Sequence, residues 1–139
     1  MKAALLLLAI AISTTACKKS NDVTPKEEEV EVSDTVALLK YTGTFTSGPY
    51  GKVLGEAKIY KQNKKYFLML DNFKSSSGSN LHVFLSKEKT PIHYYDLGPL
   101  KSLDKAQQYF IEENLDSNPY SYICVHAFDL NHLFGWAKL

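Results

Sequence analysis

From Ala37 to the C-terminus the apolar residues come in short runs, separated by Gly48-Pro49-Tyr50-Gly51, Gln62-Asn63, Ser75-Ser76-Ser77-Gly78, Thr90-Pro91, Gly98-Pro99 and Asn118-Pro119. Glycine, proline and asparagine at this spacing punctuate strands rather than helices. Within the runs the apolar positions repeat every second residue. Ala57 and Ile59 face away from Glu56, Lys58 and Tyr60, and Leu81, Val83 and Leu85 face away from His82, Phe84 and Ser86. Tyr66 to Leu70 is apolar on both parities, which predicts a central strand covered on two faces. Helix competes only over Ser102 to Gln108, where one turn is expected before a strand Tyr109 to Glu112. The pattern predicts an all-β fold, an antiparallel β-sandwich or partly closed barrel of about seven to eight strands.

The first 34 residues follow a different pattern. Lys2, the apolar core Ala3 to Ile12 and the small residues Ser13 to Ala16 read as a secretory signal over residues 1–16, too short to span a bilayer. Small residues leading into Cys17 look like a lipobox, in which Cys17 becomes the first mature residue and is acylated. The chain is then anchored to membrane lipid through Cys17. Lys18 after the cysteine points to the outer membrane of the cell envelope, with the domain outside the cytoplasm. Residues 17–34, with Lys18-Lys19-Ser20-Asn21-Asp22 and Glu27-Glu28-Glu29, are too polar to bury and read as a flexible linker. Residues 35–139 remain as one domain, enough for one core and no second.

That domain carries twelve lysines against nine acids, net +3, and the whole chain has no arginine. A mild charge without a basic stripe argues against a nucleic-acid partner. Recognition by a guanidinium fork is excluded outright.

The chemistry concentrates in Tyr120 to Leu139. On a strand, Ile123, Val125 and Ala127 take one face and Tyr122, Cys124, His126 and Phe128 the other. Cys124 and His126 then lie about 6.6 Å apart along one face, close enough to share a ligand. With Cys17 acylated, Cys124 is an unpaired thiol in an oxidising compartment. It is an inert buried thiol, a redox-active or ligating thiolate, or a partner in an intermolecular disulfide. Cys124 with His126, His82, His93 or His132 could ligate haem iron, copper or zinc, though no pair has ligand spacing and no Cys-x-x-Cys-His occurs. Met69 sits in the most apolar strand and reads as core. Hydrolase and phosphate-loop motifs are missing, and Glu112 and Glu113 point to opposite faces. A different class of function is a non-enzymatic surface module binding a saccharide or a protein. Tyr94, Tyr95, Tyr109, Tyr120, Tyr122 and Trp136 would line its groove, with Asn80, Gln107 and Gln108 as a polar rim.

Five blocks in order carry a resemblance: Tyr41-Thr42-Gly43-Thr44-Phe45, Gly55 to Tyr60, Leu70 to Phe73, Gly78 to Ser86, and the closing strand with Cys124 and Phe134-Gly135-Trp136-Ala137-Lys138-Leu139. Together they resemble the DM-thirteen domain, a family labelled as electron transfer. Ser79 and Asn80 stand where that family carries Pro-Asp. The resemblance implies a redox role centred on Cys124, with a redox protein as partner, and His126 on the same strand face is the candidate helper. It leaves the cofactor open between haem and none.

Overall fold

A computed structural model describes residues 36–139. The proposed signal segment, the linker and Cys17 lie outside the described residues. Eight strands follow in chain order: β1 (Leu38–Ser47), β2 (Val53–Gln62), β3 (Lys65–Ser75), β4 (Leu81–Ser86), β5 (Tyr94–Pro99), β6 (Gln107–Ile111), β7 (Tyr122–Ala127) and β8 (His132–Lys138). They form a single sheet in the order β5-β4-β7-β8-β1-β2-β3-β6. Every pair is antiparallel. The sheet curls round one core, so of the two expected architectures it is a nearly closed barrel. Side chains span the seam between the edge strands. Tyr109 Oη lies 3.2 Å from the Pro99 carbonyl oxygen, and Tyr95 Oη reaches Glu112 Oε2 at 3.4 Å.

Alternation sets what points inward. Ala57 and Ile59 on β2, Leu68 and Leu70 on β3, Val83 and Leu85 on β4, and Ile123, Val125 and Ala127 on β7 are all fully buried in one cluster. The register shifts in four strand pairs, and two of these bulges re-aim core side chains. On β3, Asn72 takes φ +47° opposite Gly55 at φ +112°, and the parity flips so that Phe73 turns inward. Its ring meets Phe45 edge-on at 5.6 Å. On β8 an extra residue between the partners of Val125 and His126 lets Phe134 enter the core while Leu133 stays outside. The β2–β3 hairpin closes on Asn63 and Lys64, both at positive φ, the two-residue turn that matches strand twist.

Two expectations are corrected. β3 pairs on both edges, yet Phe67 and Met69 are only half-buried on the barrel's outer surface, so Met69 is not core. The segment Ser102 to Lys105 forms no helical turn. It wraps instead around the buried Gln107 side chain. Gln107 Oε1 accepts from the Lys101 and Ser102 amides and from Tyr109 Oη, and Nε2 donates to the Ser102 and Lys105 carbonyls. A buried amide that satisfies five groups outcompetes the single turn's own hydrogen bonds.

Candidate functional site

β7 is flanked by β4 and β8, and the pairing sets Cys124 between Phe84 and Trp136. All three side chains point out of the barrel, as the period of two requires when Ile123 and Val125 point in. They form a second apolar cluster, Phe84, Cys124 and Leu133, against which Tyr122 and Trp136 pack. The Tyr122 and Trp136 rings meet edge to face at 6.0 Å.

An outward residue is ordinarily wet, yet Cys124 has no exposed surface. The cover is the β4–β5 loop, residues 87–93, which folds back over the outer surface. Cys124 Sγ donates to the Lys89 carbonyl at 3.5 Å, and Lys89 Nζ lies 4.8 Å above the Trp136 ring. The loop is closed at its base by Lys87 N to His93 O at 3.0 Å and Ser86 Oγ to Glu88 O at 2.7 Å. Glu88 clasps His93 twice, through Nδ1 at 2.7 Å and the backbone amide at 3.1 Å. The His93 contacts hold the Glu88 carboxyl below its usual range.

Burial dominates the thiol. With no cation beside it, Cys124 is pushed up to about 12, so it is a neutral thiol at any physiological pH. The sulfur lies in an apolar, sealed site, which favours the uncharged form.

His126 occupies the same outer surface, as expected, and is 5% exposed. Its ring stacks on Phe84 at 5.1 Å, with Tyr94 stacked on Phe84 at 4.2 Å. His126 Nδ1 is buried without a hydrogen-bond partner. Burial lowers its affinity for a proton, His132 nearby lowers it further, and a contact from Asn131 opposes both. His82 pairs across the sheet with His126, but its nitrogens are taken by Asp96 Oδ2 at 2.8 Å and Asn80 Oδ1 at 3.1 Å. Of these two histidines only His126 keeps an unclaimed nitrogen.

The other sequence candidates scatter. His93 closes the loop base, and His132 stacks flat on Tyr50 at 3.8 Å. Among the described residues no group of three or more His, Cys, Asp or Glu gathers to hold a metal. Haem was the cofactor the resemblance left open, and these residues as packed do not fit it. A macrocycle cannot reach Sγ while the Lys89 carbonyl, Phe84 and Trp136 close round it.

The proposed tyrosine groove is corrected as well. Tyr109 points into the barrel, Tyr95 and Tyr120 pack against the core, and Tyr122 and Trp136 flank Cys124. Of these six rings Tyr94 is the most exposed, at 42%. Sequence reasoning missed Phe84 and Lys89. Phe84 was legible in the outward parity of β4, whereas no residue of Lys87 to His93 announces a loop that folds back.

Comparison with curated proteins and with solved structures gave no match. A scan against family models matched residues 44–139 to the family described as Electron transfer DM13. That match runs from the second half of β1 to the last residue, and so takes in Cys124, its aromatic cover and strands β2 to β8. The chain belongs to the Electron transfer DM13 family.

Proposed function

We propose that this barrel transfers electrons through Cys124 as a thiol, on a module held outside the cytoplasm by acylated Cys17. The observation that carries the reading is the position of Cys124. It stands outside the core that folds the protein, in a separate aromatic pocket on the same face as His126 with its unpartnered Nδ1, and the β4–β5 loop closes over it. A cysteine needed only as filler would sit in the main cluster with Ile123 and Val125.

In this reading the loop 87–93 is displaced by the redox partner, and water then reaches the sulfur. The opened thiol loses its proton to water or to His126 Nδ1, whose unclaimed lone pair lies on the same surface. Cys124 is the one cysteine among the described residues, so a disulfide cycle draws its second thiol from the partner protein. Two thiols give one disulfide, two protons and two electrons, the electrons passing to the partner's acceptor.

Alkylation of Cys124 in the folded protein tests this. The expected result is slow reaction that speeds about tenfold or more in Glu88→Gln and Lys89→Gly, which loosen the loop but leave the barrel core intact. The denaturation midpoint should barely move. Reaction that tracks global unfolding in every variant, with redox behaviour unchanged in Cys124→Ala, would leave Cys124 as an inert thiol.

A further inference from the structure

The barrel wall opposite Cys124 carries an unassigned site. At the end of the barrel where the β2–β3 turn meets the segment after β6, a cleft of about 880 Å³ is lined by Lys61, Lys64, Lys65, Phe110, Glu112 and Glu113, together with Tyr66 and Asp116. Three of these groups satisfy one another. Lys61 Nζ lies 2.7 Å from Asp116 Oδ2, and Tyr66 Oη donates to Asp116 Oδ1 at 2.5 Å.

The other four do not. Lys64 and Lys65 make no ion pair with a described residue. Glu112 and Glu113 have only 3.4 Å contacts, from Tyr95 Oη and Asn118 Nδ2. β6 ends at Ile111, so Glu112 and Glu113 do not take the opposite faces expected of a strand, and two cations and two anions line one cleft without neutralising each other. A ligand that complements them bears both charges, an anionic group for the lysines and a hydrogen-bonding ammonium for the glutamates.

An apolar stripe leads out of the cleft. Leu39, Tyr60, Phe67 and Phe110 are successive cross-strand partners over β1, β2, β3 and β6, and all face outward because Ile59, Leu68, Tyr109 and Ile111 face the core. Tyr60 and Phe67 stack at 5.3 Å. Leu39 is 52% exposed and Phe110 74% exposed, and Phe110 belongs to both stripe and cleft. The chain enters the barrel at the same corner, where exposed Val36 and Leu38 precede Leu39 and Leu38 pairs with Lys61. A charged cleft for a zwitterion, continuous with an aromatic strip, has the polarity of a membrane interface.

We propose that this cleft takes the phosphoethanolamine head group of a bilayer lipid, phosphate to Lys64 and Lys65 and ammonium to Glu112 and Glu113, with the Leu39–Phe110 stripe resting on the bilayer. The inference stands apart from Cys124 and from the acyl anchor. The strands and core described above lie within residues 36–139, and a chain of residues 35–139 carries neither the proposed leader nor Cys17. That chain is mixed with vesicles of phosphatidylcholine, of phosphatidylcholine with phosphatidylethanolamine, and of phosphatidylcholine with phosphatidylglycerol, then sedimented. Binding is expected to be strongest with phosphatidylethanolamine, because a quaternary choline offers the glutamates no N–H. Phe110→Ser should weaken it about tenfold. Glu112→Gln with Glu113→Gln should erase the preference for ethanolamine over choline. No vesicle binding, equal binding to choline and ethanolamine vesicles, or phosphatidylglycerol binding best would each overturn the proposal. So would binding of free O-phosphoethanolamine by a chain that ignores vesicles.

Discussion

His126 is a buried imidazole with one unpaired nitrogen, and its environment makes a definite demand on pH. Burial holds the folded ring below its ordinary value of 6.5, so between the two values the unfolded chain binds a proton that the folded chain refuses. Stability from this residue is complete above about pH 6.5 and declines as pH falls through that value towards the folded one. His126→Gln should therefore flatten the pH dependence of the urea midpoint between about pH 7 and pH 5, and an unchanged slope would show that the ring is not held neutral. Cys124 works at the other extreme. Its folded value near 12 lies above the ordinary 9.0, so its contribution is present at neutral pH and fades only as alkali exceeds that ordinary value. The pairing of the two on one surface was legible from the period of two. Their sealing was not, because burial of an outward residue depends on a loop whose polar sequence suits open water equally well.

Strands place these residues, and the strands obey simple alternation except at their bulges. Ala57, Ile59, Val83, Leu85, Ile123 and Val125 point inward as their parity requires. Phe73 does so only because Asn72 and Gly55 adopt left-handed backbone on facing strands, a feature that a periodicity count passes over. Gly55→Ala should be costly. Its φ of +112° disfavours any side chain, and an added Cβ would stand 2.5 Å from the Asp71 carbonyl oxygen. The expected loss is about 2 kcal/mol or more in denaturant unfolding, with the bulge reset and Phe73 dislodged. A variant with wild-type stability would mean that the bulge does not fix the register. The Gln107 loop and the dispersed tyrosines have one cause. Composition says which groups need partners, but only the assembled sheet decides which groups are near.

At the scale of the molecule, the barrel presents a thiol pocket on the β4–β7–β8 wall and a charged cleft with an apolar stripe on the β1–β2–β3–β6 wall. Among the described residues no helix is long and apolar enough to cross a bilayer. Attachment through Cys17, which lies outside the described residues, is thus a separate proposal with its own energetics. Each buried methylene of an acyl chain contributes about 0.8 kcal/mol, so more than one chain outweighs any contact a few surface rings can make. The stripe would then orient a barrel that the lipid already holds. Cys17→Ala should shift the full chain from the membrane pellet to the soluble fraction, or leave it unprocessed, while Phe110→Ser alone should leave it in the pellet. The two substitutions together separate the roles. The wall's own lipid binding should make the double variant more soluble than Cys17→Ala alone, and equal solubility would leave the stripe no more than an orienting role. If wild-type protein is already soluble after cell fractionation, the anchor does not exist and the wall must find its membrane unaided.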